Sequence, residues 1–400
     1  MVSKYREFHG GVESHILDLI AGLSELGHRV ELFSSEDVPG DGFDARARGL
    51  AAKVRSVGSL FWNSAAREAL AAAIEKFEPD LVHYHSIYHQ LSPSVLDISS
   101  VPSIMTLHDY KLVAPCYSLY RDSQICTDCV GRKFALPAVL NRCVKGSAIA
   151  SVVCAAEQVI YKSRYIDSVD RFIVPSSFLR QMLVESGIPE ERMTVVPWGV
   201  PANSPETVLV SESPANGSKF VLYAGRLHES KGLGQLLDAW TGLVTKEDYK
   251  LIVVGGGSLE PSVRAAVASD PSVEYLGVID RGHLLDLVSM AEATVMPSIV
   301  PETMGLSALE SLVRGTPALL TGRGALSELS GAGTVDIDPD ALVESLAEAL
   351  SRIVRDPSFL AAKRAELAKR DLSMYTRDAM VGRIVDIYKS TLLASSGSHR

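Results

Sequence analysis

Strand-length apolar runs alternate with helix-length segments twice over along this chain of 400 residues, and that doubled alternation constrains the fold more than anything else in it. The runs fall at 28–34, 81–86, 102–108, 170–176 and 193–199, and again at 220–224, 251–254, 273–278, 294–297, 317–321 and 334–337. Stretches such as FVLYA and LIVV are apolar at successive positions, as strands covered on both faces must be. Such alternation builds βα repeats around a parallel sheet, so the expected fold class is α/β. The length exceeds one ordinary core and suits two domains of about 200 residues. The stretch 201–219, rich in Pro, Ser and Asn, reads as a linker between domains at 1–200 and 220–374. The first helix follows Gly10 and Gly11 and carries Ile16, Leu19, Ile20, Leu23 and Leu26 at spacings of three and four, which gives it one inward face.

Chemistry concentrates at two places in the second half. SIVPETMGLSALESLVRG, ending at Gly315, carries Glu302 and Glu310 around the expected start of a buried helix. Pro301 and Thr303 suit that start, and Arg314 with Gly315 suits the end. Gly305 falls where backbone can approach a ligand, and the free N–H groups of a helix start favour an anion. At 1.5 Å per residue the two carboxylates lie roughly 12 Å apart along one ligand. Carboxylates accept paired hydrogen bonds from adjacent hydroxyls, so one can hold a sugar ring and the other a ribose diol, with a diphosphate between them. The ordinary fate of a glutamate is a solvated surface. Leu306, Ala308, Leu309 and Leu312 around Glu310 speak against it here.

The second place is KFVLYAGRLHESKG, residues 219–232, a buried-strand pattern that ends in Gly225 and releases Arg226 and Lys231. Ligands of open α/β sheets sit beyond the carboxyl ends of strands. Arg forks two phosphate oxygens there and Lys adds a point charge. Two solvated cations are the plain alternative, which leaves the Ala224–Gly225 pair and the Lys231–Gly232 turn unexplained. Weaker signals accompany these. The Gly10–Gly11 pair suits backbone approach to a phosphate or a simple tight turn. GGG at 255–257 follows a strand, but its spacing is not the G-x-G-x-x-G of a dinucleotide site. His108 and Asp109 end the strand SIMTLH and precede Tyr110, at an end where side chains face a ligand.

YAGRL with the later SKG, followed by PETMGLSALE, resembles the donor site of retaining nucleotide-sugar glycosyltransferases of family 4. HGGVESHILDLIAGLSELGHRVELFSS at 9–35, LVHYHS, TLHDY, RFIVPSSFLRQML and VVPWGV fall in that family's order, so the resemblance covers nearly the whole chain. It implies the GT-B fold, two Rossmann-like domains facing a cleft. The first would take the acceptor, the second a UDP- or GDP-sugar, and the last helix, 375–400, would cross back to the first. It implies catalytic roles for Glu302, His108, Arg226 and Lys231. It implies donor contacts from Gly10, Gly11, Gly225, Arg226, Lys231, Gly255, Ile279, Thr303, Met304, Gly305, Leu306 and Glu310, with Asp109 and Tyr110 on the acceptor side. The implied reaction is transfer with retention at the anomeric carbon by front-face attack, without metal or cofactor, the leaving phosphate's charge falling on Arg226, Lys231 and the helix start. The family usually opens with a full apolar strand, where this chain has only Met1, Val2 and Ser3.

Residues 111–165 form an expected insert that holds Cys116, Cys126, Cys129 and Cys143. C-x-x-C with two flanking cysteines could hold a structural zinc, but the irregular flanking spacings favour reduced thiols in a loop, with at most one labile disulfide. Arg121, Arg132, Lys133, Arg142 and Lys145 interleave there with Phe134, Leu136, Val139 and Leu140, as on a solvated helix face or on a face that meets anionic lipid. A net charge of −9 disfavours broad nucleic-acid binding. No uncharged apolar run reaches membrane-spanning length and none follows Lys4, Arg6 and Glu7, so the expected location is cytoplasmic, with peripheral contact at the inner face of the membrane. The expected partners are a nucleoside-diphosphate sugar and a saccharide or lipid-linked acceptor for a surface polysaccharide or glycoconjugate. Two other classes use the same parts: a sugar-nucleotide epimerase, and a nucleotide-sugar-binding protein without turnover.

Overall fold

The computed structural model describes residues 1–6, 10–39, 58–59, 61–96, 98, 101–201, 217–246 and 248–397. The chain divides into two compact units: Met1–Leu119, Cys126–Gly199 and Arg377–Arg400 make the first, Tyr120–Ile125 and Val200–Thr376 the second. Most of the stretch read as a linker, 202–216, lies outside the described residues. In chain order the strands are β1 (Val82–Tyr84), β2 (Ser103–Thr106), β3 (Tyr120–Arg121), β4 (Gln124–Ile125), β5 (Arg171–Val174), β6 (Met193–Val195), β7 (Lys219–Ala224), β8 (Tyr249–Val254), β9 (Val273–Gly277), β10 (Ala293–Met296), β11 (Ala318–Leu320) and β12 (Thr334–Asp336).

In the first unit β1, β2, β5 and β6 pair in that order, all parallel. Val2 extends this sheet beyond β1, bridging Tyr84 on one side and Phe33 on the other. The expected strand at 28–34 therefore shrinks to the single rung at Phe33. Ser3 N–H donates to the Phe33 carbonyl at 3.0 Å, Phe33 N–H to the Met1 carbonyl at 2.9 Å and Ser35 N–H to the Lys4 carbonyl at 3.3 Å. Successive strand residues point to opposite faces, which explains the unbroken apolar runs. Met105 and Phe172 enter one cluster, while Ile104 and Ile173 enter another with Leu19, Leu23, Met380, Val381 and Ile384. That second cluster joins the helices Gly11–Glu25 and Arg377–Gly397.

The second unit's sheet runs β12-β11-β10-β7-β8-β9, and all six strands are parallel. Counting its strands from one, the order is 6-5-4-1-2-3, and the direction of winding reverses between β7 and β10. Val221 and Tyr223 face a core with Trp240, whereas Phe220 and Leu222 face Leu287 and Val288. Both faces of the strand are filled, and all four strand residues are at most 3% exposed.

Candidate functional site

A reversal of winding opens a crevice beyond the carboxyl ends of the two strands, because the loops that follow them turn away in opposite directions. The loop after β7 carries Arg226 and Lys231, and the loop after β10 carries Ser298 and Glu302. Backbone packing locks these loops together. Gly232 has a left-handed φ of 68°, and a Cβ there would stand 1.9 Å from the Pro297 carbonyl oxygen. Ile299 N–H donates to the Ser230 carbonyl at 3.0 Å. The result delivers Lys231 Nζ to Glu302 Oε1 at 2.6 Å, and Ser298 Oγ donates to the same oxygen at 2.6 Å.

Glu302 is also held by its backbone, which forms a bridge with Gly324 and accepts from Ala325 N–H at 2.9 Å. Pro301 and Thr303 thus do not open the helix, contrary to the sequence expectation. The helix is Leu306–Val313, with a left-handed Gly305 before it and no side chain capping it. A bridge to a neighbouring loop competes with helix formation at 301–304, so the helix starts later than its local residue types suggest. Burial alone would raise the Glu302 carboxyl, but the Lys231 charge and hydrogen bond, the Ser298 hydroxyl and Arg226 reverse this and hold it below the usual carboxylate range. It is an anion at neutral pH.

Glu310 is 3% exposed and lies beside Arg281, with 3.4 Å between Oε1 and Nη2. It is no solvated surface carboxylate. Ser307 Oγ donates to the Ala224 carbonyl at 2.9 Å, which ties this helix to the end of β7. Gly225 N–H donates to the Val254 carbonyl at 3.0 Å and Gly255 N–H to the Gly277 carbonyl at 2.8 Å, so the loops after β7, β8 and β9 lie side by side. Ile279 follows β9 and is half-buried, Met304 is buried, and Arg226 is exposed. The second unit therefore gathers Glu302, Lys231 and Arg226 directly, with Gly225, Gly255, Gly305 and Glu310 on adjoining segments. Sequence reasoning missed Ser298 and Arg281, the side chains that fix the two carboxylates.

The remaining sequence candidates lie in the first unit. Gly10 precedes the helix Gly11–Glu25 with an extended φ of 171°, so the glycine pair is not a left-handed turn. His108 is 4% exposed, and its Nε2 lies 3.0 Å from His85 Nδ1. His15 stands edge-on to His108 at 5.2 Å between ring centroids and stacks on Trp198 at 5.3 Å. Both nitrogens of His15, Nε2 of His85, Nδ1 of His108 and Nε1 of Trp198 are buried and without hydrogen-bond partners. Sequence reasoning singled out only His108 of this group. Asp109 Oδ1 accepts from Lys111 N–H at 2.8 Å, and burial raises its carboxyl against the opposing pull of Lys111. Tyr110 is buried.

Burial holds His15 down to about 3 from an ordinary 6.5, and burial with neighbouring imidazoles holds His85 and His108 well below 6.5. The unfolded chain protonates these rings below about pH 6.5 and the folded chain does not, so the first unit's stability falls as pH drops from about 6.5 towards 3. Thermal unfolding between pH 7.5 and 5 should show this loss, and His15→Asn should lessen it. An unchanged slope in the variant would contradict a buried neutral cluster. His15, His85 and His108 also bring ring nitrogens within 4.8 Å of one another and are, among the described residues, the group with metal-ligand spacing. Among the described residues no disulfide joins the five cysteines, and burial pushes Cys129 up to about 11.

Comparison with known proteins agrees with this division. Residues 10–199 match the glycosyl transferase 4-like domain, and residues 207–371 match the glycosyl transferases group 1. The chain is 23% identical to an uncharacterized glycosyltransferase, MJ1607, of Methanocaldococcus jannaschii, over 95% of this chain and 94% of the relative. It is 31% identical to a GDP-mannose-dependent alpha-(1-6)-phosphatidylinositol dimannoside mannosyltransferase of Mycobacterium tuberculosis, over 37% of this chain and 39% of that protein. Among solved structures it is similar to Anabaena HepE in complex with UDP and glucose, with a TM-score of 0.64, 14% identity and coverage of 97% and 98% of the two chains.

Proposed function

The chain belongs to the family 4 type of GT-B glycosyltransferases, and from that premise we propose that it moves a sugar from a nucleoside-diphosphate sugar to a saccharide or lipid-linked acceptor, with retention at the anomeric carbon. One observation carries the reading: an anionic Glu302, fixed by Lys231 and Ser298, stands at the carboxyl ends of β7 and β10. Both fixing bonds fall on Oε1, which leaves Oε2 to accept from sugar hydroxyls near the reacting carbon. Arg226 and Lys231 take up the charge that develops on the leaving phosphate. Glu310 grips the ribose diol, Ile279 contacts the base, and the glycine-bearing turns let backbone N–H groups approach the diphosphate. The role assigned to His108 is orientation of the sugar, and Asp109 and Tyr110 are assigned to the acceptor.

In the proposed step the bond from the anomeric carbon to the phosphate oxygen breaks, and a bond from that carbon to the acceptor oxygen forms on the same face. The acceptor's proton passes to the departing phosphate oxygen. The reaction as proposed draws on no metal. The UDP complex of HepE and the GDP-mannose dependence in the mycobacterial protein's name support a nucleoside-diphosphate sugar as the donor class. The proposed setting is the assembly of a surface polysaccharide or glycoconjugate in the cytoplasm, with peripheral contact at the membrane.

Product analysis tests this. With a UDP- or GDP-sugar and an acceptor panel, we expect transferred sugar, or slowly released free sugar, that keeps its anomeric configuration. Intact donor with altered sugar stereochemistry would instead assign an epimerase. Saturable binding with unchanged donor would assign a binding protein, and an inverted product would overturn retention.

A further inference from the structure

The insert presents an apolar face that neither the core nor the proposed chemistry uses. On the helix Ala148–Ser168, Ile149 is 76% exposed, Val152 50% and Ile160 54%. At 100° per residue these three fall within about 80° of one another, a single stripe. The opposite side of the helix carries the buried Cys154, Ala155 and Tyr165. Packed against it is the short helix Leu136–Leu140, where Phe134 is 64% exposed, Leu136 59% and Leu140 71%. Contiguous exposed apolar surface of this kind marks a binding face.

Its charge says what it meets. Arg132, Lys133, Arg142 and Lys145 are exposed around it, and none makes an ion pair among the described residues. No acid occurs between Asp128 and Glu157, although the whole chain carries a net charge of −9. Among the described residues no helix is long and apolar enough to cross a membrane. An apolar stripe edged by unpaired cations on a non-spanning helix suits the headgroup boundary of an anionic bilayer.

We propose that this face, formed by the helices Leu136–Leu140 and Ala148–Ser168, docks the enzyme on an anionic membrane surface, the apolar side chains entering the headgroup layer and the cations meeting lipid phosphates. The proposal locates the peripheral contact inferred above and rests on that reading, but it is independent of the donor site.

Flotation of the full chain with phosphatidylcholine vesicles, with and without phosphatidylglycerol, tests it. The expected result is binding at least about ten-fold stronger to the anionic vesicles, weakened by salt, since each cation near such a surface is worth about five-fold. Lys133→Glu with Lys145→Glu should lower binding about ten-fold or more, and so should Leu140→Ser with Ile149→Ser. All four positions are exposed, so both variants should fold, and nucleotide-induced thermal stabilisation should be the same in each as in the parent chain. Equal flotation of parent and variants, or none by the parent, would overturn the proposal. A parent chain that dimerises, ignores vesicles and becomes monomeric in the Leu140/Ile149 variant would mean that a second copy covers the face. Loss of donor stabilisation with vesicle binding intact would count against the donor site alone.

Discussion

Glu302→Ala should lower turnover at saturating donor by about 100-fold or more, equivalent to roughly 2.7 kcal/mol of lost transition-state stabilisation. The substitution removes the one side chain bonded to Lys231 Nζ among the described residues, together with the Oε2 assigned to the sugar. It also leaves Ser298 Oγ, which is buried, without its carboxylate acceptor, so part of the loss comes from a loosened loop. Glu310→Ala is the informative contrast. Its partner Arg281 lies on a different helix from Lys231, and the role assigned to it is ground-state grip on the ribose. It should raise the donor dissociation constant about ten-fold or more while turnover at saturating donor changes only a few-fold, the signature of uniform binding. Steady-state kinetics with direct donor titration would separate the two. Variants that match each other in both affinity and turnover would refute the division of roles.

The second large effect is structural. Gly232→Ala adds a Cβ that would stand 1.9 Å from the Pro297 carbonyl oxygen, at a left-handed φ of 68° that L residues rarely adopt. Neither loop can yield easily, because Ser230 accepts from Ile299 N–H and Gly232 N–H is itself bonded to the Glu229 carbonyl. We expect a cost of about 3 kcal/mol or more from the forced shift and the strained backbone together. Displacing Lys231 from Glu302 should also weaken the proposed donor binding. Denaturant unfolding and donor titration should fail together. A stable variant with normal donor affinity would mean that the two loops are not locked as described.

The alternation of strands and helices was legible because parallel strands buried on both faces must be apolar at successive residues, and runs such as FVLY leave few other readings. The strand order was not legible: which strand lies beside β7 depends on the sides taken by the crossovers, and one chain's local pattern does not encode that directly. The carboxylates stood out as charges in apolar surroundings. Their pairing did not: Lys231 stood out as a phosphate contact rather than as the partner of Glu302, and Arg281 not at all, since the members of the two pairs are 71 and 29 positions apart, distances at which no short motif operates. The start of the helix was misread because Pro301 and Thr303 have the right local preferences, and the Glu302–Gly324 bridge that overrides them is tertiary. His15, His85 and Trp198 each looked ordinary in its own segment. Their burial with unpartnered ring nitrogens emerges only when three segments converge.

A thermal-shift panel of UDP, GDP, ADP, dTDP, their sugar conjugates and NAD tests the central claim most directly. At about 100 times its dissociation constant, the correct nucleoside diphosphate should stabilise the chain by roughly 2.7 kcal/mol, its sugar conjugate should do likewise, and Glu310→Ala at the same concentration should cut both to about 1.4 kcal/mol or less. Stabilisation by NAD alone, or by nothing in the panel, would contradict a nucleotide-sugar site at the carboxyl ends of β7 and β10.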